Sequence, residues 1–215
     1  MEIETKQINI TTAYSEGIAS VAQIKTIDIR NQIIELWDKQ PIISQFPDFV
    51  TIIEPTQQVT IVIQGRIVTV SNQEVKKFET RDLENFLRLV LRTNEILQKP
   101  IAAFGYNYTF LIPVNAEDRP KIDSKIKKNI NLTEMGVPEK DFITGGINLC
   151  YMKSSLRIQI ITMPQFAEDL KNPIAFVVQC NVHFSQQKLP AFAELLGSFK
   201  DEHSYLEKEV EKILS

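Results

Sequence analysis

Glycine, cysteine, histidine and excess positive charge are all scarce in this 215-residue chain. Each scarcity removes a class of function. Seven glycines leave little material for loops that cradle phosphates, and no GxxxxGKS/T or GxGxxG run occurs. HExxH, CxxC and GxSxG are missing too, so the common short catalytic signatures have no foothold. The two cysteines, Cys150 and Cys180, lie thirty residues apart. That spacing suits neither a metal knuckle nor a disulfide framework, and both read as buried, reduced thiols. Two histidines give imidazole catalysis few places to sit. Lys and Arg number 24 against 27 acidic residues, with no long basic run, so no nucleic-acid footprint is expected. No apolar run approaches a membrane span. The opening MEIETKQINI lacks the basic-then-apolar pattern of a signal peptide. The expectation is a cytoplasmic protein with no membrane attachment and no cofactor.

What is present is an ordinary globular balance, 43% hydrophobic and 24% charged. The length suits one domain or two small intimate ones with a sizeable core. The most informative stretch is PIAAFGYNYTFLIPV, residues 100–114. On a strand, alternate side chains point to opposite sides. One side carries Phe104, Tyr106, Tyr108, Phe110 and Ile112; the other carries Ala103, Gly105, Asn107, Thr109 and Leu111. The sequence places a large aromatic face back to back with a small one.

The remaining elements follow from period and punctuation. Residues 3–14 alternate as a strand, whereas 18–27 fit neither period. Asp28 is an expected N-cap, followed by the helical face Ile29, Ile33, Leu36 and Trp37 and stopped by Pro41. A short strand spans 49–53. Residues 59–70 read as a hairpin around Gly65-Arg66, a type II′ pattern that sets Ile63 opposite Val68 and Ile61 opposite Val70. A broad-striped helix spans 80–98 and a shorter one 118–130. Strands are expected at 142–152, 156–163 and 174–184, then a final helix at 188–214 with Pro190 in its first turn.

In order, these elements repeat: strand, helix, three strands, helix, twice over. Asp48-Phe49-Val50-Thr51 and Asp141-Phe142-Ile143-Thr144 hold matching places. The expected fold class is α+β, an antiparallel sheet with helices on one face. Two βαβββα-like halves, 1–99 and 100–215, would form one compact unit related by pseudo-twofold symmetry.

This element order resembles the duplicated α+β domain of the DNA-gyrase-inhibitor-like and multidrug-sensor ligand-binding proteins. The chain also resembles a sporadically distributed prokaryotic family of uncharacterised proteins of similar length. The features shared with that family are a Trp-bearing helix before a proline (IRNQIIELWDKQP), a Gly-x-x-Tyr strand (FGYNYTFLIPV), and a late strand and long helix (VVQCNVHF and AELLGSFKDEHSYLEKEVEKIL). Gln179 and Asn181 stand where that family's pattern leads one to expect aspartates. The resemblance implies no activity.

Candidate ligand-binding residues are Phe104, Tyr106, Tyr108 and Phe110, which either line a pocket or pack under a helix. Gln179, Asn181 and His183 share the polar side of a late strand, either as a groove or as a solvated face. His203 falls on the apolar stripe of the last helix, as a core or interface residue. Glu54, at a strand end beside Pro55, reads as a surface loop residue or as a carboxylate for a cationic ligand. No catalytic residue and no metal ligand is assigned. The leading expectation is a non-enzymatic binding or interaction protein that self-associates or meets a protein partner. The alternative is a sensor or carrier whose aromatic-lined cleft between the halves takes a small apolar or cationic ligand. An enzyme centred on His183 stands third.

Overall fold

The computed structural model describes residues 2–73, 81–115, 117–129, 144–166 and 173–214. The first half contains β1 (Glu4–Tyr14), α1 (Ala19–Trp37), β2 (Ile42–Phe46), β3 (Phe49–Glu54), β4 (Val59–Gln64), β5 (Ile67–Asn72) and α2 (Arg81–Leu97). The second contains β6 (Ile101–Pro113), α3 (Arg119–Asn129), β7 (Asn148–Lys153), β8 (Leu156–Phe166), β9 (Pro173–Phe184) and α4 (Phe192–Leu214). The nine described strands pair antiparallel in one sheet, ordered β2-β3-β4-β5-β1-β6-β9-β8-β7. The fold is α+β. The strands before and after α2 meet at the central β1–β6 pair, where Ile10 lies opposite Tyr106.

Burial explains why the helices lie on one side. Ile8 and Ile10 of β1, Ile61 and Ile63 of β4, and Phe176, Val178 and Val182 of β9 point one way and are buried with the aromatic side of β6. Leu83, Phe86, Leu87 and Val90 of α2 and Leu195, Phe199, Leu206 and Val210 of α4 close over that side. The other side is more polar and carries none of the four described helices, as expected of an antiparallel sheet with one wet face. The hairpin register is the expected one: Ile63 pairs with Val68 and Ile61 with Val70. Gly65 sits at φ +58° while Arg66 keeps a negative φ, as a type II′ turn requires.

Several expectations are corrected. Residues 18–27, of undecided period, are mostly the first half of α1, which begins at Ala19 with Ile18 as its uncapped N-cap residue. Asp28 is therefore mid-helix, 3.3 Å from Lys25, and caps nothing. The first half holds an additional strand, β2, so four strands follow α1 rather than three. Cys150 is exposed; only Cys180 is buried. Thr80, Ile130, Asp141, Phe142 and Ile143 lie outside the described residues.

Candidate functional site

The aromatic face of β6 is core. Phe104, Tyr106, Tyr108 and Phe110 are each at most 2% exposed. Phe104 stacks on Phe184 at 4.7 Å, and Phe199 of α4 sits 5.1 Å from Tyr106 and 4.8 Å from Tyr108. Both phenol groups are satisfied by α4: Tyr106 shares a 2.9 Å bond with Ser198 Oγ, and Tyr108 donates to the Phe199 carbonyl at 2.8 Å. Burial pushes the Tyr106 phenol up to about 12 and that of Tyr108 well above its ordinary value. The expected aromatic-lined cleft is thus corrected. The large face buries more apolar area than the small one, so the helices cover it, and side chains fill the space in front of it.

His203 belongs to the same layer. Its Nε2 is 2.8 Å from Thr5 Oγ1, and its ring lies 5.4 Å from that of Tyr108 and 5.3 Å from that of Phe110. A register shift in β1 between Thr5 and Gln7 turns Thr5 toward the helices. Burial lowers the imidazole from 6.5 to about 4. Glu54 is also structural: it is 2% exposed, and its carboxylate accepts bonds from Thr56 N, Thr56 Oγ1 and Gln57 N at the β3–β4 turn.

The opposite face is different. A groove of about 470 Å³ runs across its centre, with Asn9, Thr11, Thr69, Asn107, Gln159 and Asn181 among its lining. The strand register aligns them. Asn107 lies opposite Asn9 on one side and Asn181 on the other, and Asn181 opposite Gln159. Asn181 Nδ2 donates to Asn107 Oδ1 at 2.5 Å, and Asn107 Nδ2 donates to Asn9 Oδ1 at 2.6 Å. Thr11 Oγ1 is 3.2 Å from Thr69 Oγ1. An amide chain therefore crosses three strands and continues as a hydroxyl pair, with every side chain half-buried. Gly105 of β6 leaves room beside it: a methyl group there would lie 3.2 Å from Asn181 Nδ2 and 3.3 Å from the Val182 carbonyl. No charged side chain lines the groove among the described residues. His183 lies beyond it, opposite Gly105 and Arg157. Partial burial, and secondarily the Arg157 charge, lower its imidazole pKa.

The seven sequence-predicted positions thus fall on two sides of the sheet. Four are core; Gln179 and Asn181 line the groove and His183 stands beyond it. Sequence reasoning missed Asn9, Thr11, Thr69, Asn107 and Gln159 as site residues. Asn9 and Thr11 do alternate with Ile8, Ile10 and Thr12, but only pairing between distant strands brings these residues into one row. Among the described residues, no group of His, Cys, Asp and Glu side chains could hold a metal ion. No described helix is long and apolar enough to cross a membrane. No protein-family model and no curated protein matches the chain.

Proposed function

We propose that this is a non-enzymatic recognition protein whose open sheet face binds an uncharged, hydrogen-bonding ligand. The observation that carries the reading is the groove lining. Carboxamides and hydroxyls from five adjacent strands converge there without a charged group among the described residues. Each carboxamide offers donors and acceptors together, so the row matches a ligand that does the same, such as a neutral saccharide or the backbone of an uncharged peptide. With strands about 4.8 Å apart, the row from Thr69 to Gln159 spans about 19 Å, which favours an extended ligand. Among the described residues no nucleophile–base pair lines the groove, and binding is the activity its lining supports.

The test is an NMR titration of the side-chain amide signals with neutral oligosaccharides and uncharged peptides. Shifts centred on Asn9, Asn107 and Asn181, lost in Asn107→Leu at unchanged thermal stability, support the reading. Shifts confined to other residues, or binding undiminished in Asn107→Leu, refute it.

A second observation favours a small apolar ligand at a different place. A cavity of about 480 Å³ lies between the end of α2 and the start of α4, walled by Leu91, Ile101, Leu189, Pro190 and Phe192, with Glu95 and Lys188 both in its lining. A ligand seated there stabilises the native state and raises the melting temperature. That shift should vanish in a Leu189 variant that blocks the cavity, Leu189→Trp; a shift that survives places the ligand elsewhere.

A further inference from the structure

The two ends of the sheet are built differently. β7 ends in Lys153, whose ammonium is 3.0 Å from Glu202 and 3.7 Å from the centre of the Tyr205 ring. β2, at the other end, carries no charged residue along Ile42–Phe46 and has no neighbour on its outer side among the described residues. Proteins usually blunt such an edge with charge, a bulge or a covering segment, because its unpaired N–H and C=O groups are a template for another strand. Here the open side of the edge is apolar as well. On the open face, Ile42 and Phe46 are 61% and 60% exposed. α1, which packs over β3 and β4, is tied to this edge: Gln23 Nε2 donates to the Phe46 and Pro47 carbonyls at 2.6 and 2.8 Å, and Gln45 Nε2 to Thr26 Oγ1 at 2.5 Å.

The sequence of the edge is symmetric about Ser44. Pro41 and Pro47 flank it at equal distance, and neither can donate a ladder hydrogen bond. Antiparallel pairing with an identical strand, centred on Ser44, matches all five residues between the prolines. Any slipped register loses pairs to a proline. That register sets Ile42 against the other copy's Phe46, Ile43 against Gln45, and Ser44 against itself. We propose that two copies of this chain join edge to edge through β2, continuing the sheet across a twofold axis. Such an interface is self-complementary in the sense a twofold demands. It is independent of the open-face reading.

The test uses the full chain in three forms, measured by light scattering across a concentration series. Wild type is expected at twice the monomer mass of 24.6 kDa. The variant Ile42→Lys with Phe46→Lys is expected at the monomer mass with an unchanged circular-dichroism spectrum, since both positions are solvent-exposed. In a Cys150→Ser background, Ser44→Cys is expected to give a disulfide-linked dimer under mild oxidation, because the two thiols face each other at the axis. Cys150→Ser alone should not cross-link. A wild type that stays monomeric at every concentration overturns the proposal and leaves the edge to a different partner. A dimer that survives the double lysine substitution, with no cross-link through Ser44→Cys, overturns it too.

Discussion

Replacing His203 with glutamine should remove a pH-dependent part of the protein's stability. The imidazole is 5% exposed. Facing it are Thr5 from β1, the rings of Tyr108 and Phe110 from β6, and Glu207 one turn along α4, whose Oε2 is 3.5 Å from Nδ1. The carboxylate favours an imidazolium, whereas the aromatic surroundings oppose it. Glu207 is 37% exposed and screened by water, so burial dominates and the pKa falls from 6.5 to about 4. Below its ordinary pKa, the unfolded chain binds this proton and the native state does not. Stability is therefore full above pH 6.5 and falls as the pH drops toward 4. A shift of this size corresponds to about 3 kcal/mol when complete, of which about 2.5 kcal/mol develops between about pH 7.5 and about pH 4.5. Glutamine can keep a hydrogen bond to Thr5 Oγ1 without titrating. In urea unfolding at the two pH values, wild type should lose about 2.5 kcal/mol more than His203→Gln. The comparison cancels contributions from carboxylates remote from position 203. Equal losses in the two proteins, or an NMR titration of His203 at or above its ordinary value, would refute the reasoning and make the Glu207 pair dominant.

Other perturbations test other parts of the framework. Gly105→Ala presses a methyl against Asn181 and an unyielding carbonyl; it should cost about 1–2 kcal/mol in urea unfolding and displace the Asn181 amide signal. Should that signal stay in place, the groove does not depend on the glycine. Glu54→Gln exchanges one acceptor oxygen for a donor facing the N–H groups of the β3–β4 turn, so a loss of about 2 kcal/mol in chemical denaturation is expected; no change would mean that water replaces the carboxylate. A thiol reagent should titrate Cys150 promptly in the native protein and Cys180 only in denaturant, because Cys180 is 2% exposed and burial raises its thiol to about 12. Two rapidly reacting thiols would contradict the packing of β9.

Much of the fold is legible from local pattern, because local chemistry decides it. Gly65-Arg66 sets the register of β4 and β5, and alternation along residues 101–113 and 173–184 marks the two strands beside which the core is built. The failures have a common cause. The start of α1 escapes period analysis because Ile24 and Ile27 face outward, which blurs the apolar stripe. β2 escapes because only Ile43 of its apolar residues packs inward, and because prolines bracket it. The candidate site is half legible. Alternation shows that β6 has two unlike faces, but helices docking from remote parts of the chain select which one is closed. The row of Asn9, Asn107 and Asn181 exists only once β1, β6 and β9 are side by side.

The central β1–β6 pair carries a kinetic consequence. Ile10 must find Tyr106, and the residues that pair around them are about as far apart along the chain. Strand contacts that distant form slowly, because loop closure precedes any return from packing. During synthesis β1 emerges long before β6 and, once paired with β5, waits with one open edge. Along that edge Ile8, Ile10, Thr12 and Tyr14 alternate with Asn9, Thr11 and Ala13, a pattern that invites pairing with a wrong strand. The step most exposed to misassembly is therefore the joining of the sheet at its middle, and substitutions that slow it should lower the yield of folded protein before they lower its equilibrium stability.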